Sequence, residues 1–264
     1  MISAELLVLG EDCFLGPAQT DTVHQVFGGH FIAQALLAAH KTTEADQLVH
    51  SLHSYFLMPG DSSADIQYEV EHIRDGRSSS TRQVIARQND HDVFRLIASF
   101  SCDRGATVHS FDAMPSVPHY EELSAYTFEG DWAWADGLEC RYVNLPGEQS
   151  GDETKINVWI RIHEEIANQL QNPNVALAYL SDATVGDGVF HRKGWNFEDP
   201  TLRYLSLDHT IWFHQMAPAG QWMLFEQSAD WVGAGRGLAR TRAFSENGDL
   251  IASCAQEALA YVRG

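Results

Sequence analysis

The sequence predicts an α+β fold made of two similar units, each a helix followed by a four-stranded antiparallel meander. Three observations carry this. An alanine- and leucine-rich segment at 27–40 precedes four strand-like stretches, and a second apolar segment at 174–185 precedes four more. Polar turns stand at matching places, Asn89-Asp90-His91-Asp92 in one half and Glu246-Asn247-Gly248-Asp249 in the other. The run Leu96-Ile97-Ala98-Ser99 recurs as Leu250-Ile251-Ala252-Ser253. Period-two alternation punctuated by Gly, Asn and Asp is the pattern of hairpin-linked strands.

Taken in order, residues 27–40 are good helix formers with Gly28-Gly29 at the start. Apolar residues cover most of the circumference, which suits a helix packed into a sheet. Strands are expected at 47–58, closed by Pro59-Gly60-Asp61, then at 65–73, 79–88 and 93–101, with Asp75-Gly76 marking a turn. Residues 138–146 and 155–164 look extended. The helix at 174–185 follows Pro173, with Asn174 as its expected cap. Strands follow at 203–215, 221–232, 236–245 and 249–261. The domain reading is an N-terminal unit at 1–105, a linker at 106–137 held by Trp132 and Trp134, and a C-terminal unit at 138–264. A lone meander exposes both edges, so the two units are expected to join edge to edge in one continuous sheet.

Composition narrows the function. The 264 residues suffice for two small domains, and no run approaches the roughly 18–20 apolar residues of a membrane span. The first residues lack the basic and apolar regions of a secretory signal and the last residues lack a peroxisomal address, so a cytoplasmic protein is expected. Four scattered cysteines (Cys13, Cys102, Cys140, Cys254) form no CxxC pair, which indicates reduced thiols and neither a disulfide framework nor a zinc site. No metal or redox cofactor is implied. The formal charge of −19 repels nucleic acid and anionic membrane. An anionic ligand would need a local cation cluster; Arg74, Arg77, Arg82 and Arg87 form one stretch, and Arg236, Arg240 and Arg242 another.

Familiar catalytic motifs are missing. There is no GxSxG elbow, and His163-Glu164-Glu165 lacks the second His of a zinc peptidase helix. His50 and His53 are expected on opposite faces of a strand. Gly233-Ala234-Gly235-Arg236-Gly237 lies between strands and not before a helix, so it is a poor phosphate loop. What stands out is polar groups in apolar settings. Asp182 lies late in the second helix, Ser206 with Asp208 and His209 interrupts an aromatic strand, and Gln256 lies in the last strand. Each alone has a bland reading, as a helix-end acid or a satisfied strand polar group. A buried carboxylate, however, demands partners or a function.

At this point the residues meet a family pattern. Val26-Phe27-Gly28-Gly29 with Gln34-Ala35-Leu36, the segment from Val49-His50-Ser51 through Tyr55-Phe56-Leu57 to Pro59-Gly60-Asp61, Arg74-Asp75-Gly76, Ser181-Asp182, Ser206-Leu207-Asp208-His209 through Trp212-Phe213-His214, and Ala255-Gln256-Glu257 resemble the acyl-CoA thioesterase II (TesB-like) family. The resemblance runs over nearly the whole chain. It implies a double-hotdog fold, acyl-CoA as substrate, hydrolysis to a free fatty acid and CoA, and assembly into a homo-dimer or homo-tetramer. It also implies that an Asp, a Thr or Ser, and a Gln activate water, roles that fall on Asp182, Ser206 and Gln256. Many members carry Thr where this chain has Ser206, a change that keeps the hydroxyl.

On that reading Asp182 is the general base, and Gly28 and Gly29 bring backbone N–H groups to the oxyanion. Arg82 and Arg236 are candidates for the CoA phosphates. Asp182 could instead attack the carbonyl and form an anhydride. Two other functions compete. A hotdog enoyl- or hydroxyacyl-CoA hydratase would need a His–acid pair, and Asp187-Gly188-Val189-Phe190-His191 lacks the Asn-Pro of the usual segment. A non-catalytic acyl-CoA binding protein would not need all three catalytic groups.

Overall fold

The computed structural model describes residues 5–19, 25–105, 107–128, 135–147, 154–170, 172–196, 199, 201–216 and 220–263. The N-terminal half runs β1 (Leu7–Gly10), β2 (Cys13–Gly16), α1 (Gly28–His40), β3 (Gln47–Phe56), β4 (Ile66–Gly76), β5 (Ser79–Gln88) and β6 (His91–Cys102). The C-terminal half runs β7 (Leu138–Tyr142), β8 (Lys155–Ile162), α2 (Glu164–Leu170), α3 (Pro173–Ser181), α4 (Asp187–Lys193), β9 (Leu202–Ser206), β10 (Asp208–Phe213), β11 (Met223–Gly233), β12 (Arg236–Ser245) and β13 (Leu250–Val262). A helix followed by strands recurs in each half as the sequence predicts, but the four-stranded meander is corrected. Only β4-β5-β6 and β11-β12-β13 pair consecutively, while β3 pairs with β6 and β10 with β13, because the first strand of each set is taken up by the seam between the halves.

The described strands form one antiparallel sheet in the order β1-β2-β4-β5-β6-β3-β10-β13-β12-β11-β8-β7, with β9 beside β13. The two halves therefore join through β3 and β10, where Leu52 faces Ile211 and Tyr55 faces Asp208. The continuous sheet is as expected, and its physical reason is the removal of two edges. α1 packs on β4, β5 and β6, α3 packs on β8 and β10, and the helices touch each other. Every residue of α1 from Gly29 to Leu36 is buried, which explains its all-round apolar sequence. The helix contact is close: a Cβ on Gly29 would stand 2.4 Å from the Tyr179 carbonyl oxygen.

Local differences have local causes. Asn172, not Asn174, caps α3; its side chain accepts from the Asn174 N–H, and Pro173 takes the first helical position, where no N–H is needed. α3 is shorter than expected because Asp182 already ends it, and a separate helix, α4, follows. The expected strand at 203–215 is broken at Leu207, whose N–H donates to Glu257 of β13 while its carbonyl accepts from Phe56 of β3. Asp75-Gly76 belongs to β4, and the turn is the next two residues, since Gly76 pairs with Ser79. A bulge in β3 beside His50 leaves both His50 and His53 exposed, contrary to simple alternation. Asn89 and Asp90 carry φ of 49° and 64°, the tight hairpin turn the sequence predicts. In the linker, Tyr120 stacks on Trp222 with ring centroids 4.7 Å apart and Pro118 accepts from Trp159; Trp132 and Trp134 lie outside the described residues. All four cysteines are free thiols, Cys140 and Cys254 buried.

Candidate active site

Two helix ends meet at the seam between the halves. Asp182 is the C-cap of α3, with φ −89° and ψ −14°, and it lies against the first turn of α1. A Cβ on Gly28 would stand 2.5 Å from Asp182 Oδ2 and 2.9 Å from the Phe56 ring, so only glycine lets the carboxylate approach this backbone. The Gly29 N–H, expected at the oxyanion, is instead committed to the Asp182 carboxylate; it and the Gln256 side chain both hydrogen-bond that group and favour its charged form. Burial outweighs them, and the pKa of Asp182 is raised to about 6. Its Oδ1 is buried, without a hydrogen-bond partner, 3.9 Å from His209 Nδ1.

Gln256 projects inward from β13, opposite Ala239 of β12, and is 1% exposed. Its Nε2 donates to Ser206 Oγ. Ser206 is the last residue of β9, paired with Ala258 just before the break at Leu207. The helix-borne carboxylate, the strand hydroxyl and the final-strand amide thus converge. A cleft of about 190 Å³ opens beside them, lined by Gly28 and Ser206 together with Val26, Phe31, Phe56 and Leu207.

The sequence assigns no role to one neighbour. His209 is fully buried, with Nδ1 3.1 Å from Gln256 Oε1 and Nε2 2.9 Å from Ser181 Oγ. Along β10, His209, Ile211 and Phe213 alternate inward, and that period-two pattern was the available signal. Burial pushes its pKa down to about 4, so the ring is neutral at pH 7. Both ring nitrogens are engaged within the protein, which disfavours a hydratase histidine here.

The arginines divide. Arg236 starts β12 opposite Leu259, one rung beyond the Gly237–Ala258 pair and so at the Ser206 end of β13. It is exposed, 3.4 Å from Glu257 and over the Trp231 ring. Arg82 is different, and here the sequence expectation is corrected. Its Nε donates to Thr42 Oγ1, Nη1 to the Arg74 and Thr81 carbonyls, and Nη2 to the Thr42 carbonyl and Asp75 Oδ1. All five N–H groups are committed, and they clamp the C-terminal end of α1 to the β4–β5 hairpin. That end is about 20 Å from the Gly28 end of a 13-residue helix. Arg82→Met is therefore expected to destabilise the fold by about 2–3 kcal/mol, read by thermal unfolding, with KM unchanged. A KM raised tenfold at unchanged stability would return Arg82 to ligand binding.

The acyl-CoA thioesterase N-terminal domain matches residues 16–101 and the acyl-CoA thioesterase C-terminal domain residues 111–260. The chain is 32% identical to acyl-CoA thioesterase 2 of Haemophilus influenzae, over 93% of this chain and 91% of that protein. It superposes with a TM-score of 0.81 on the acyl-CoA thioesterase II TesB2 of Mycobacterium marinum, at 32% identity, covering 99% of this chain and 97% of the other. A hot dog fold protein from Alicyclobacillus acidocaldarius superposes at 0.86 with 20% identity, covering 99% and 97%, and bears on the fold alone.

Proposed function

Because the chain belongs to the acyl-CoA thioesterase II family and hydrolyses acyl-CoA to a fatty acid and CoA, we propose that Asp182, Ser206 and Gln256 carry the reaction. The observation that supports this assignment is the single Gln256 side chain hydrogen-bonding both Asp182 and Ser206 beside the start of α1.

The Asp182 carboxylate takes a proton from water, and the water oxygen attacks the thioester carbon. Gln256 occupies the Ser206 oxygen as donor, which turns the Ser206 O–H toward a lone pair of that water. The Gly28 N–H has no intrahelical partner, as the first residue of α1, and it receives the oxyanion. Collapse of the tetrahedral intermediate breaks the C–S bond, and the thiolate of CoA takes up the proton. The apolar cleft at Val26, Phe31 and Phe56 holds the substrate beside this centre. Arg236, exposed at the same end of the sheet, meets a CoA phosphate.

The pH profile tests the base. With Asp182 at about 6, kcat/KM falls about tenfold per pH unit below pH 6 and levels off above it. The measurement is thiol release from acyl-CoAs of several chain lengths between pH 4.5 and 8. A flat profile would remove Asp182 as base.

We further read the protein as cytoplasmic on its four free thiols, and as a homo-dimer or homo-tetramer. The exposed Leu7, Val8 and Leu9 on edge strand β1 support assembly, as do Tyr55, Ile97 and Trp212 on the outer sheet face. Among the described residues, no helix is long and apolar enough to cross a membrane.

A further inference from the structure

We propose that His209 is a positioning residue: it fixes which end of the Gln256 amide faces Asp182. This rests on the assignment of Asp182 and Gln256 above. The two ends of a carboxamide have the same shape and opposite hydrogen-bonding character. A carboxylate only accepts, so the end of Gln256 turned toward Asp182 and Ser206 is the NH2. The amide oxygen then faces the other way, 3.1 Å from His209 Nδ1. That oxygen also only accepts, so Nδ1 carries the ring proton. A neutral imidazole has one N–H, which leaves Nε2 as an acceptor 2.9 Å from the Ser181 hydroxyl. The Ala178 carbonyl, 2.8 Å from the same hydroxyl, competes for its proton.

The other tautomer would suit Ser181 and Ala178 better, since Nε2–H could donate to the hydroxyl while the hydroxyl donates to the Ala178 carbonyl. It would, however, present a bare Nδ1 to Gln256, draw the NH2 toward the ring and turn the amide oxygen onto the carboxylate. Two acceptors would then face each other in a buried site, an arrangement that is strongly unfavourable. Asp182 Oδ1 lies 3.9 Å from Nδ1. The backbone is held as well: the His209 carbonyl accepts from Ser54 Oγ of β3, across the seam. His209 is fully buried with both ring nitrogens engaged by protein groups. It acts through Gln256.

The test compares three variants. The amide nitrogen of His209→Asn falls near the place of Nδ1 and can donate to Gln256. That of His209→Gln falls near Nε2, and His209→Phe donates nothing. Asn is expected to keep kcat within about tenfold of the parent, while Gln and Phe lose about 10²-fold with KM nearly unchanged. The acidic limb of kcat/KM moves up in Gln and Phe, because the carboxylate loses its Gln256 donor, and stays in place in Asn. Thermal unfolding reports whether each variant folds; if Phe does not, the Asn and Gln pair decides. Equal losses in Asn and Gln, or a limb that stays put while kcat falls, would reduce His209 to packing. A parent enzyme with no limb near pH 6 would instead overturn the Asp182 assignment, so the two failures are distinguishable.

Discussion

Asp182→Asn is expected to lower kcat by about 10² to 10⁴-fold on every acyl-CoA tested, the range for loss of a general base. The change keeps shape and volume and removes only basicity. It should not harm the fold, and the sign follows from linkage. The carboxyl has its pKa raised from 3.8 to about 6, so between those values the folded protein holds a proton that the unfolded chain releases. Its contribution to stability therefore declines as pH rises from about 4 through 6, and stays low above. The neutral Asn avoids that decline, so the variant at pH 8 should melt no lower than the parent. Lost activity with retained stability separates chemistry from structure. A kcat near the parental value would remove the base. Single-turnover hydrolysis in ¹⁸O water completes the test: label in the product acid alone supports direct attack by water, and label in Asp182 supports an anhydride.

How much of this was legible beforehand depends on the range of the interaction. Elements with strong local signals, such as α1, β5 and the turn at Asn89-Asp90, fall where pattern and turn chemistry put them. The join of β3 to β10 follows from edge pairing, a global requirement that the two meanders make visible. The break at Leu207 was not legible, because its cause is a pair of hydrogen bonds to Glu257 and Phe56, both remote in sequence. The site divides the same way. Asp182, Ser206 and Gln256 stood out as polar groups in apolar runs, but their sharing of one hydrogen-bond network depends on the register of β9 and β13. Arg82 misled because an arginine cluster in sequence looks the same whether its donors face a phosphate or, as here, carbonyls at the end of α1.

The second large effect is expected at Gly28. Its Cα lies so close to the carboxylate that an added methyl would stand 2.5 Å from Asp182 Oδ2 and 2.9 Å from the Phe56 ring. Neither neighbour can retreat easily, since Asp182 is tied to Gly29 and Gln256 and Phe56 packs on Phe94 with ring centroids 5.2 Å apart. Gly28→Ala should therefore displace the base and the N–H proposed for the oxyanion together, lowering kcat by about 10² to 10³-fold, the effect of losing one such donor. Helix propensity works in the opposite direction, because Ala is the better helix former. Gly10→Ala is the control, with nothing within 4 Å of the new methyl. The other half of the molecule shows why the position matters. α3 opens on Pro173, which has no N–H to offer, and Asn172 caps the next one. Nine residues into α1, where α3 has Asp182, stands Leu37. On the proposed assignment the repeat keeps the scaffold twice and the chemistry once, and one catalytic centre per chain is the expected count. Parental kcat in Gly28→Ala would show that the start of α1 takes no part in it.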